Sequence, residues 1–187
     1  MANIVQYGLR PASGGQNNIK VMRFYCDGSA NNLDIGIGSV VQADAGGGVI
    51  ASVAAAGLGN VGVVVATFDL NQIPNGHFAA ANSKPYLPAS KVGYVDVALA
   101  LPDAVFIGQS ATTSYAATDV FVGVNLVVSA VDTNTGHSGH RLGATGGSDF
   151  RILGLVTNPN NAWGSVNADV YVHFLKSIFG QGTGASV

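Results

Sequence analysis

Apolar and polar positions alternate with a period of two along much of the chain, and no segment holds a helical period over three turns. Ile19 to Cys26 reads as a first strand, followed by turn chemistry at Asp27-Gly28 and Asn31-Asn32. Leu33 to Gln42 puts Leu33, Ile35 and Ile37 on one face, and a glycine turn follows at 45–48. Val49 to Ala56 and Val61 to Leu70 read as two strands joined across 57–60. Residues 71–91, with Pro74, Pro85, Pro88 and Asn75-Gly76, read as a loop insertion. Alternation returns at Val95 to Leu101, where Val95, Val97, Leu99 and Leu101 share a side; Pro102 ends that strand and Ala104 to Gln109 forms the next. Val120 to Val131 reads as one long strand covered on both faces, and 132–148 as a polar loop. Phe150 to Thr157 and Ala168 to Leu175 complete a set of eight or nine strands. The pattern predicts an all-β domain, a small β-barrel or β-sandwich, over residues 19–178. Residues 1–18 read as an extended N-terminal arm and 179–187 as a frayed tail.

Composition sharpens that picture. All ten acidic residues are aspartates, and eight basic residues oppose them. Charged residues form 10% of the chain, against roughly 25% in an ordinary soluble domain. Hydrophobic residues make up 48%, and 26 positions are glycine. A surface so poor in charge is suited to burial in an assembly. The scattered Lys and Arg leave no basic footprint for nucleic acid or for an anionic membrane. Val49 to Phe68 is long enough to span a bilayer, but its Ala, Gly and β-branched content favours a hairpin. The N-terminus shows no basic segment leading into an apolar one, so residence in a cytoplasm is expected. Cys26 is the sole cysteine, which rules out an internal disulfide and a thiolate metal cluster.

Three constellations invite a chemical reading. Gly57-Leu58-Gly59-Asn60-Val61-Gly62 spells the dinucleotide-binding glycine pattern. Three valines follow it, a poor helix start, and no acidic residue lies between Asp69 and Asp96 to bind a ribose, so a turn between strands is the better reading. His137, Ser138 and His140 lie near Asp132 and suggest zinc ligation or a hydrolytic serine. Their spacing matches neither a helical metal pair nor a nucleophile elbow, so this too reads as a polar loop. Asp96 and Asp103 fall on a strand's solvent side and in a turn, a poor pair for acid–base work. Trp163 follows an Asn-rich loop and reads as a core plug or an interface anchor.

The C-terminal half carries a resemblance. Pro102-Asp103-Ala104-Val105-Phe106-Ile107-Gly108-Gln109 resembles a D-P-x-x-x-F-x-V-Q region of small tailed-phage virion proteins. Asp119 to Leu126, Thr135 to Gly139, Phe150 to Val156, Asn160 to Gly164 and Ala168 to Phe174 follow in similar order. Ile35 to Val41 and Gly62 to Val65 are similar to the small-barrel portion of the same proteins. The chain thus resembles the capsid decoration (cement, or head auxiliary) proteins of tailed bacteriophages over residues 33–70 and 95–175. It departs from them in the order Pro102-Asp103 and in the 71–91 insertion. The resemblance implies a non-enzymatic all-β subunit, often a homotrimer, without cofactor or metal. Its implied partner is the major capsid protein, on the outside of a mature head assembled in a bacterial cytoplasm; nucleic acid and membrane are not expected partners. Contacts are expected from the arm and the two long loops, with Arg10, Pro11, Tyr86, His137, His140 and Trp163 as interface candidates. The alternatives are a tail or head-completion component, or a carbohydrate-binding β-domain.

Overall fold

The computed structural model describes residues 7–12, 19–28, 32–52, 59–75, 84–111 and 114–179. It is all-β. Eleven strands run in order: β1 (Arg10–Pro11), β2 (Val21–Cys26), β3 (Val40–Ala43), β4 (Val49–Ala51), β5 (Asn60–Phe68), β6 (Gly93–Leu99), β7 (Phe106–Gln109), β8 (Gly123–Val127), β9 (Arg141–Thr145), β10 (Phe150–Leu155) and β11 (Asp169–Phe174). The only helix among the described residues is one 3-10 turn, Ala117–Asp119. The strands form a six-stranded sheet, β1-β7-β11-β10-β8-β9, and a five-stranded sheet, β2-β6-β5-β3-β4. All named strand pairs are antiparallel.

Alternation explains how the two sheets share the chain's apolar residues. On β6, Val95, Val97 and Leu99 join one core with Val41, Val64, Cys26 and Ile35, while Ala98 turns to the other. That second core is built on the six-stranded sheet, where Phe106, Phe150 and Phe174 meet with ring centroids 5.2 and 4.6 Å apart. Burying each such side chain contributes about 1.5–3 kcal/mol. β3, β5 and β6 therefore present apolar side chains to both faces: Val40 against Val41, Val63 against Val64 and Ala98 against Val97. A bulge at Val65 bends β5, since Val64 pairs with Val97 and Ala66 with Asp96.

Each sheet curls without closing into a barrel. In the six-stranded sheet, an isolated bridge between Ser110 and Leu142 brings the end of β7 to β9. In the other sheet, the two edges approach where Gly48 meets the end of β2. Gly48 has φ +87°, and a Cβ there would sit 2.3 Å from the Tyr25 carbonyl oxygen. Only glycine meets both demands.

The elements differ from the sequence expectation in four places. Part of the expected arm is built into the domain: β1 pairs with β7 and Leu9 is buried in the six-stranded core. Leu33 to Gln42 is not one strand, because the chain turns at Gly38 (φ +88°) and only Ile35 and Ile37 make isolated bridges before β3. The long strand expected over 120–131 shortens to β8, because a turn precedes it with Phe121 at φ +70°. The 132–148 loop contains β9, whose Leu142 is buried; Gly143 within it and Gly146 just after it make the segment read as turn sequence. Residues 1–6 and 13–18 of the expected arm, the end of the Val49–Ala56 strand (its start is β4), the middle of the 71–91 insertion and the tail beyond 179 lie outside the described residues.

Candidate functional site

β2 is an edge strand, and its position leaves apolar side chains in water. Val21 is 52% exposed, Met22 53% and Tyr25 43%. The turn after β5 adds Leu70 and Ile73, also exposed. Arg23 ties these parts together. Its guanidinium grips Asp96 on β6 through two hydrogen bonds of 2.7 and 3.0 Å, donates to Gln72 Oε1 at 3.0 Å, and stacks over the Phe68 ring at 3.8 Å. The one ion pair in the patch is thus internally neutral. Tyr25 packs edge-on against Tyr94.

The backbone of β2 follows a defined polarity. Leu99 N–H donates to Lys20 C=O at 2.8 Å, so the even-numbered positions along the ladder turn their amides toward β6. Val21 and Arg23 consequently turn theirs away from the sheet. The result is a strand edge with apolar side chains in water, flanked at its start by the exposed Lys20, one of the devices that blunt such edges.

The histidine loop holds a structural junction in place of a reactive triad. His140 is buried, and its Nδ1 accepts the Val40 N–H at 3.1 Å. Ser138 Oγ accepts the His140 N–H and is buried as well. Asp132 is exposed and accepts the Asn134 N–H. That bond is the main reason its carboxyl lies below the usual aspartate value. His137 is half-buried and bridges to Ile37. Gly136, at φ +73°, runs so close to Pro85 that a Cβ would lie 2.1 Å from that carbonyl. Three segments (35–37, 85–87 and 132–138) are thereby locked together. No group of three His, Cys, Asp or Glu side chains among the described residues is arranged to hold a metal.

The other interface candidates are distributed widely. Arg10 is exposed and pairs with Asp169 at 3.5 Å, and Tyr7 donates its hydroxyl hydrogen bond to the same carboxylate. Pro11 is half-buried in β1. Tyr86 and His140 are corrected as surface contacts: they are 4% and 2% exposed, because their loops fold over the cores. Trp163 packs half-buried against the six-stranded core. The side-chain amide of Asn161 fixes its loop by bonding Val156 C=O and both backbone groups of Asp169. A cavity of about 110 Å³ lies in that loop, but its Asn158, Asn161 and Asn167 side chains already spend hydrogen bonds within the protein. Gly57 and Leu58 of the glycine pattern lie outside the described residues, while Asn60 to Gly62 belong to β5, with no helix start.

Sequence reasoning missed the β2 edge as a surface. The run VMRFYC sets Val21, Arg23 and Tyr25 against Met22, Phe24 and Cys26, which predicts a strand but not its place in a sheet; edge position is a property of topology. No helix among the described residues is long and apolar enough to cross a membrane. No family model, curated protein or solved structure matches the chain.

Proposed function

We propose that this chain is a structural virion protein that binds the outer surface of a mature phage head and stabilises the coat lattice. The observation that carries the reading is the β2 edge: of the nine exposed large apolar side chains among the described residues, Val21 and Tyr25 flank the self-neutralised Arg23–Asp96 pair on one face, Leu70 and Ile73 lie in the turn that Arg23 reaches through Gln72, and Met22 is exposed on the other face of the same strand. Such a surface favours association by shape and apolar burial with little dependence on charge. A lattice multiplies a weak contact of this kind through high effective concentration. A subunit that binds the expanded coat better than its precursor also stabilises the expanded state by linkage. The resemblance over residues 33–70 and 95–175 and the low charge content point the same way. A tail or head-completion component would use the same patch at far lower copy number. The glycan-binding alternative loses its main support, because Trp163 is pinned against the core.

The test is occupancy on expanded capsids stripped of the protein. Wild type is expected to rebind at hundreds of copies. V21K/M22K is expected to lose at least about tenfold in affinity, roughly 1.4 kcal/mol, while its melting temperature stays near that of wild type. Equal occupancy by the variant, or no rebinding by wild type, would refute the proposal.

A further inference from the structure

His140 keeps one hydrogen-bonding group in reserve. The Val40 N–H donates to its Nδ1 at 3.1 Å, so the neutral ring carries its proton on Nε2. Burial keeps the ring neutral at pH 7, with a pKa of about 4. Nε2–H finds no acceptor among the described residues, although His140 is only 2% exposed. A buried donor without a partner is uncommon and points to a ligand or an ordered water. With Nδ1 turned to Val40, the opposite edge of the ring is what His140 offers to the groove that it lines.

That groove is half-open, about 310 Å³ in volume, and amphipathic. Leu33, Val128 and Val131 give it an aliphatic wall. Leu33 and Val128 also pack against the two cores, which fixes the wall in place. Its polar members are His140, Asp34 and, on the exposed rim, Asn32 and Ser129. Asp34 makes no ion pair among the described residues. Its Oδ1 accepts the Ala89 N–H at 2.7 Å, which pins the carboxylate and leaves Oδ2 unused. Asp132, exposed and ionised at neutral pH, directly follows Val131 and adds negative charge nearby. No cation lines the groove, and Arg141, next to His140, is turned to Asn167 at 3.2 Å.

These features select an occupant. An unpaired carboxylate calls for a cation. One free oxygen suits the point charge of an ammonium better than a guanidinium fork, which grips both oxygens. The aliphatic wall suits the stem of lysine, which lies along apolar surface while its head stays at a polar site. An ammonium has no lone pair for Nε2–H, so the same ligand must bring an acceptor, and the main-chain carbonyl of a lysine residue supplies one. We propose that this groove receives a lysine side chain of a protein partner, with its ammonium on Asp34, its stem across Leu33, Val128 and Val131, and its carbonyl on His140 Nε2–H. The inference goes beyond the capsid reading, which names no residue of the partner. Its test contains no capsid, so either can fail alone.

The probe is Nα-acetyl-lysine amide, titrated at pH 7 and low salt into the isotopically labelled full chain and followed by NMR. Saturable shifts are expected at Asp34, Val128, Val131 and His140, with a Kd on the order of 1 mM, usual for a ligand of about a dozen non-hydrogen atoms. The His140 Nε2–H signal is expected to move downfield and to exchange more slowly with water. Nα-acetyl-norleucine amide has the stem without the ammonium, and pentylamine has the ammonium without the carbonyl. Each is expected to bind at least about fivefold more weakly. Asp34→Asn keeps an acceptor for Ala89 and is expected to lose about as much affinity while its melting temperature stays near that of wild type. If that variant does not fold, the three ligands on wild type still decide. No saturation up to about 20 mM, equal binding of the norleucine amide, or unchanged affinity in a folded Asp34→Asn would overturn the proposal. Equal binding of pentylamine would assign the groove to free amines and overturn it too.

Discussion

At the scale of single residues, His140 shows how a polar side chain becomes a structural one. Burial pushes its pKa down to about 4, and its Nδ1 is occupied by the Val40 N–H. The unfolded chain binds a proton there near the ordinary value of about 6.5. Between those values the unfolded state holds more protons than the folded one, so stability is full above pH 6.5 and falls as pH drops toward 4. The loss attributable to His140 is roughly 2–4 kcal/mol. His173, also held below its ordinary value by burial and by Arg151, adds to the same slope. Thermal melts between pH 7 and 4 are expected to show this decline, and His140→Gln, which keeps an acceptor for Val40, to flatten most of it. NMR titration gives a direct check: a His140 imidazole that titrates near 6.5 in the folded protein would contradict this account. The sequence places His140 in a polar Gly-Ser-His loop with no apolar period, so nothing local reveals that Val40, 100 positions away, bonds its ring. Trp163 was more legible. A lone Trp after an Asn turn suggests a plug or an anchor, and its packing against the core fits the first.

At the scale of elements, β1 is the informative case. Two residues suffice to pair with β7, but the energy lies next to them, where Leu9 is 1% exposed within the six-stranded core. Leu9→Ala is expected to cost roughly 2–4 kcal/mol and to lower the melting temperature measurably in a calorimeter. A change within error would show that the segment is dispensable to the fold. Strands with strict alternation and defined ends, such as β6 between its glycine and Pro102, were legible from sequence. β9 and the start of β8 were not. Gly143 in β9 is read locally as a breaker, yet in the sheet a Cβ at that position would sit 2.9 Å from Val127, so glycine serves close strand approach there. The turn before β8 contains no glycine at its strained position, and Phe121 gives no turn signal at all.

At the scale of the whole molecule, the two sheets are joined by residues rather than by a hinge. Val40 and Val41, Val63 and Val64, and Ala98 and Val97 are adjacent pairs whose members point into different cores, and Leu101 packs against both. Unfolding either core strips one face from β3, β5 and β6, which leaves the other core without its scaffold. The ion pairs at Arg10, Arg23 and Lys176 all have a substantially exposed cation and contribute little to holding the sheets together. The two cores are therefore expected to melt as one unit. Val97→Ala, in one core, and Phe150→Ala, in the other, should each move a single calorimetric endotherm to lower temperature, the second by more because it removes an aromatic ring. Two resolved transitions, with each substitution shifting only one of them, would show that the sheets fold separately. A single transition would mean that the β2 edge and the Phe121 turn, which lie on different sheets, belong to one cooperative unit.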